Sequence, residues 1–100
     1  MEKFNELIQG DKLVLVDFYA TWCGPCKMMH PVLEDLKKRL GDKITIVKVD
    51  VDVPANRQPV YTYHIQSVPT LMLFKQGRVL WNNSGVVPAN QLQQIIEKHL

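Results

Sequence analysis

Both cysteines of this chain lie in Trp22-Cys23-Gly24-Pro25-Cys26-Lys27, three residues apart. Such a pair can cycle between dithiol and disulfide, or supply half of a zinc site. The flanking residues favour the first. The apolar run over residues 13–19 reads as a buried strand, and Met29, Val32, Leu33, Leu36 and Leu40 mark one face of a helix that follows. Cys23 then opens a helix, where free backbone N–H groups and partial positive charge favour a thiolate over a thiol. Its pKa is expected to fall, and it is expected to be the exposed, reactive thiol. Cys26, one turn further in, is placed to attack a mixed disulfide formed on Cys23. Pro25 fits the helix start, because its missing N–H would lack a helical partner there.

The elements that must hold this pair follow from periodicity. Residues 2–9 read as a short amphipathic helix through Phe4, Leu7 and Ile8, with Gly10 able to end it in the left-handed conformation. Residues 23–40 read as one helix bent near Pro31 and closed by Gly41. Residues 44–50 are a β-branched strand, so strand, helix and strand form a right-handed unit with parallel strands. Residues 53–66 predict a short helix broken or kinked at Pro59. Tyr61, Tyr63 and His64 there belong either to a packed helix face, the favoured reading, or to a binding edge. Residues 71–75 and 78–82 flank Gln76-Gly77 as a hairpin, residues 82–85 read as a break, and a last helix starts at Pro88 with an apolar stripe of Leu92, Ile95, Ile96 and Leu100.

Two charged residues fall inside strands. Asp17 is either solvated at the strand end or buried beside the cysteines. A buried carboxyl suits proton transfer, and that reading is favoured. Lys48 either extends its stem to water or pairs with Asp17 across the sheet.

The hexapeptide, with Val16-Asp17-Phe18-Tyr19-Ala20 before it and Pro31, Lys48, Val68-Pro69-Thr70 and Gly85 after it, resembles the thioredoxin family over nearly the whole chain. The resemblance implies an α/β fold: a central four-stranded mixed sheet, helices on both faces, in the strand order second, first, third, fourth. Lowered pKa at the first cysteine is a property of thioredoxins, so it is implied here as well as argued from position. It implies a thiol–disulfide oxidoreductase that reduces protein disulfides through Cys23 and Cys26, with Asp17 and Lys48 assisting catalysis. Trp22, Gly24, Pro25, Val68, Pro69 and Gly85 would form the substrate surface, with Pro69 cis. No bound cofactor is implied beyond the redox-active disulfide. The implied partners are disulfide-containing proteins and a thioredoxin reductase as electron donor. With Lys48 read through the family, its pairing with Asp17 is preferred. Two departures stand out: the family's N-terminal strand is absent, and the connection over residues 53–66 is about two residues longer than usual.

One hundred residues, 46% hydrophobic and 22% charged, suit a single domain over 1–100 with its own core. A net charge of +2 without a basic run gives no footprint for nucleic acid. No stretch approaches a membrane span, and the N-terminus lacks a secretory apolar region, so a cytoplasmic location is expected. Two other functions compete. A metal site would need ligands beyond the cysteine pair, and His30, His64 and His99 show no convergent spacing. A non-catalytic scaffold would keep its role after both cysteines become serine. The Gly24-Pro25 pair resembles reductants of the superfamily, because a histidine before the second cysteine would make the disulfide more oxidising. Finally, residues 44–50 should lie at a sheet edge, where a monomer is expected over an edge-strand dimer.

Overall fold

The computed structural model describes residues 2–100. Its elements are α1 (Glu2–Gln9), β1 (Val14–Tyr19), α2 (Gly24–Leu40), β2 (Thr45–Asp50), α3 (Arg57–Thr62), β3 (Thr70–Lys75), β4 (Arg78–Ser84) and α4 (Ala89–Glu97). They form the expected thioredoxin-like arrangement, one four-stranded mixed sheet in the order β2-β1-β3-β4. β1 runs parallel to β2, with Val14 opposite Thr45 and Asp17 opposite Lys48, and antiparallel to β3, with Val14 opposite Phe74.

Successive side chains of β1 alternate between two cores, as a strand covered on both faces requires. Leu13, just before β1, and Leu15 pack with Leu33 and Leu36 of α2 and Leu92 and Ile96 of α4. Val14, Val16 and Phe18 pack with Phe4 and Ile8 of α1 and with Phe74. Tyr63, just after α3, meets Phe74 edge-on at 5.0 Å between ring centroids. β1 is thus covered on both faces.

α2 continues through Pro31 to Leu40. Gly41 ends it with φ 54°, its N–H donating to the Lys37 carbonyl. The turn between β3 and β4 uses positive φ at both Gln76 and Gly77, the combination that a two-residue hairpin turn with matching twist requires. This turn also accounts for the end of α1. Gly10 does not adopt the left-handed conformation expected of it. Instead the Gln76 and Gly77 amides donate to the carbonyls of Gly10 and Ile8, at 2.9 and 2.7 Å.

Other expectations are corrected. Pro59 is not an interior break or kink. It lies in the first turn of α3, where its missing N–H has no helical partner to lose, after a separate 3-10 turn over Pro54–Asn56. Tyr61 is not on a packed face; it is exposed. Asn82 to Ser84 are not a break. They pair with Met72 to Thr70, because the backbone of β3 offers partners that outweigh the turn preference of asparagine on a half-exposed strand. Leu100 stands outside the α4 stripe and is exposed.

Candidate active site

Cys23 is the N-cap of α2. Its backbone is extended while its Sγ accepts a hydrogen bond from the Cys26 N–H at 3.1 Å. Sulfur here does what a serine or aspartate oxygen does at other helix starts. A negative charge on Cys23 Sγ would therefore have an N–H donor and the helix dipole in place. Cys23 and Cys26 form a disulfide, with 5.3 Å between their Cα atoms. Cys23 is not broadly exposed as expected. It retains 4% of its surface against 0% for Cys26, since it packs in a small cluster with Ala20 and Val68. What access there is belongs to Cys23.

Three segments meet at this pair. The chain before α2 brings Trp22, 71% exposed, and α2 begins with the exposed Gly24 and Pro25. The loop before β3 brings Val68, whose carbonyl oxygen lies 3.7 Å from Cys23 Sγ. The Val68–Pro69 bond is cis, and Pro69 is buried. Gly85, after β4, takes φ 105° and donates its N–H to the Pro69 carbonyl at 2.8 Å. The six residues expected at a substrate surface therefore adjoin one another and the disulfide.

Asp17 is fully buried in β1, and among the described residues neither carboxyl oxygen has a hydrogen-bond partner. The solvated-end reading is excluded. Burial raises its pKa from the ordinary 3.8 to about 6, with the Lys48 charge pulling the other way. Lys48 lies opposite Asp17 in the sheet register, but its side chain is exposed and the only ion pair among the described residues is Arg39 with Asp35. The close Asp17–Lys48 pair is thus corrected to a longer-range influence, because the stem of Lys48 carries its ammonium group to water.

The structure adds residues that the sequence left unassigned. Trp22 Nε1 donates to Asp52 Oδ2 at 2.7 Å, fixing an otherwise free indole. Val51, Val60, Ile65 and Ser67 join Trp22 and Val68 around an apolar groove of about 430 Å³. Asp52 gave no signal in sequence beyond its charge, since thirty positions separate it from Trp22. Val60 and Ile65 were legible as apolar but not as groove walls. Asp52→Ala should release the indole: the Trp22 Nε1–H resonance should exchange with water faster and move toward its free position. The loss of one exposed hydrogen bond, about 1 kcal/mol, should cost less than about tenfold in substrate reduction. An unchanged Trp22 resonance would show that Asp52 does not hold it.

His30, on α2, is half-buried with its ring edge-on to Tyr19 at 5.5 Å. Among the described residues, no three histidine, cysteine, aspartate or glutamate side chains gather where they could hold a metal ion. No helix among them is long and apolar enough to cross a membrane.

Comparison with known proteins places these features. A family model described as Thioredoxin matches residues 1–98. The chain is 48% identical to a thioredoxin of Bacillus subtilis over 91 residues, covering 91% of this chain and 86% of that one. It is also 48% identical to the chloroplastic Thioredoxin Y of Oryza sativa, of whose length it spans 57%. Among solved structures, the Malassezia sympodialis thioredoxin superposes with a TM-score of 0.86 at 39% identity, over 98% of this chain and 84% of that chain. Plasmodium falciparum thioredoxin gives 0.85 at 35% identity, over 100% and 94%.

Proposed function

The chain belongs to the thioredoxin family and is a thiol–disulfide oxidoreductase; from that premise we propose that Cys23 is the attacking thiolate, Cys26 the resolving thiol and Asp17 its proton acceptor. The observation that carries the assignment is the Cys26 N–H donated to Cys23 Sγ at the start of α2. That bond supports negative charge on Cys23 specifically. Cys23 Sγ attacks one sulfur of a substrate disulfide, and the other sulfur leaves as a thiolate. Cys26 passes its proton toward the buried Asp17 carboxylate and attacks Cys23 Sγ. The second substrate sulfur leaves, and Cys23 and Cys26 end as the disulfide, two electrons having passed to the substrate.

Substrates are disulfide-containing proteins, held in this reading by Trp22, Gly24, Pro25, Val68, Pro69 and Gly85. The Val68 carbonyl and the apolar groove beside it suit an extended segment. Lys48 acts at a distance, by limiting how far burial raises the Asp17 pKa. A thioredoxin reductase returns the dithiol, and the redox-active disulfide is the only electron carrier invoked. Residues 1–100 act as one domain and as a monomer, in the cytoplasm, where the surrounding thiol pool keeps such a pair reduced.

Turnover tests the reading. With NADPH, a thioredoxin reductase and insulin, the chain at micromolar concentration should drive NADPH oxidation and precipitation of the insulin B chain. NADPH consumption no faster than without the chain would refute it.

A further inference from the structure

The outer edge of β2 is an open strand position with its ends already closed. Thr45 and Val51 donate their N–H groups to Leu13 and Tyr19, at 3.0 and 2.9 Å. By strand alternation Val47 and Val49 also face β1, so the N–H and C=O groups of Ile46 and Lys48 and the N–H of Asp50 face outward. The two flanking outward carbonyls are taken by this chain's own side chains. Lys37 Nζ donates to the Ile44 oxygen at 2.6 Å, and Asn56 Nδ2 donates to the Asp50 oxygen at 2.9 Å. Between these caps, among the described residues, Ile46 and Lys48 have no partner for their backbone groups. They offer a window about five residues long, the length of a short strand.

The two faces of that window differ. On the α1 side a groove of about 350 Å³ is walled mainly by the apolar Phe4, Leu7, Val47 and Val49, with Lys3, Lys48 and Asn56 also lining it. On the α2 side a groove of about 280 Å³ is lined by Leu33 and Ile46 and carries Lys37 and Lys48 against the single carboxylate of Glu34. A strand laid along β2 sends alternate side chains into these two grooves. One groove takes apolar side chains. The other takes carboxylates with aliphatic stems.

We propose that the outer edge of β2 docks an extended segment of a partner protein in which apolar and acidic residues alternate, adding it as a fifth strand. Main-chain hydrogen bonds at Ile46, Lys48 and Asp50 give it affinity, and the unlike grooves select the pattern. A second copy of this chain suits the site less well, because its own β2 would bring another Lys48 and Lys37 against the same lysines. β2 runs toward the end of the sheet that carries Asp52 and Trp22. A protein held on this edge is therefore kept near the disulfide, which raises its effective concentration there. The docking itself needs no redox step, so it stands or falls independently of the reaction.

The test uses the full reduced chain, labelled with nitrogen-15, and the probe acetyl-Val-Glu-Val-Glu-Val-Glu-Val-amide, which has no cysteine. The amides of Ile46, Lys48 and Asp50 should shift and gain protection from exchange, while those of Val47 and Val49 change less. Replacing every Glu of the probe by Lys should weaken binding roughly tenfold or more. Of two probes N-methylated at alternate positions, one should lose binding by roughly tenfold or more and the other keep it, because only one set of its N–H groups faces β2. Three results would overturn the proposal: shifts confined to Trp22 and Val68, equal binding of both N-methylated probes, or a free chain that sediments as a dimer with Ile46, Lys48 and Asp50 already protected. The last would make a second copy the occupant.

Discussion

Cys23→Ser should abolish disulfide reduction, lowering the rate by roughly 10³-fold to background, and should trap no substrate. Cys26→Ser should lose turnover to the same extent for the opposite reason. It should attack once and stop, accumulating mixed disulfides between Cys23 and substrate that non-reducing gels and mass spectrometry detect. The asymmetry follows from the start of α2, where the one backbone donor aimed at sulfur is aimed at Cys23. The buried Cys26 has no surface through which a protein substrate could reach it. Mixed disulfides collecting on Cys26 in Cys23→Ser would reverse the roles.

Asp17→Asn should have two effects of opposite sign. Release of the reduced substrate should slow by about 100-fold, the lower end of what a positioned base contributes, while the first attack on substrate changes little. Rapid-mixing kinetics separates the steps, and equal slowing of both would remove Asp17 from the second. The fold, in contrast, should gain stability. In the parent the folded-state pKa of Asp17 lies near 6, above the ordinary 3.8 of the unfolded chain. The folded state therefore holds the proton more tightly, and the Asp17 contribution to parent stability is full below about pH 4 and is lost as pH rises through 6. At about 1.4 kcal/mol per pH unit, a rise from 3.8 to about 6 costs the parent about 3 kcal/mol at pH 7. Asp17→Asn has no charge to bury there. Its advantage in denaturant unfolding should reach about 3 kcal/mol at pH 7 and shrink toward zero near pH 4. An advantage that does not vary with pH would mean that the Asp17 charge is not its cause.

Much of this was legible in the sequence, for identifiable reasons. The unbroken apolar run at Leu13, Val14, Leu15 and Val16 and the spacing of Met29, Leu33, Leu36 and Leu40 are set by burial on two faces of one sheet, and burial is written in residue type. The cysteine pair was legible because helix and strand patterns on either side of it fix where it sits. Strand order was not: it came from family resemblance, since periodicity says which face is buried but not which neighbour buries it. Three of the misses share a cause, long-range hydrogen bonding. Gly10 ends α1 through the carbonyls that Gln76 and Gly77 bind, Asn82 to Ser84 are held extended by β3, and Asp52 acts on Trp22. Lys48 shows the limit of register as a guide. It stands opposite Asp17, as a pair would require, yet its flexible stem takes the charge away to water.

Competitive alkylation of the reduced parent chain tests the central assignment most directly. At pH 7, limiting iodoacetamide followed by peptide mass spectrometry should find Cys23 modified at least about ten times faster than Cys26. The Cys23 rate should titrate with a midpoint below about 8.5, the ordinary value for a cysteine thiol. Faster modification of Cys26, or a Cys23 midpoint at or above about 8.5, would contradict a thiolate stabilised at the start of α2.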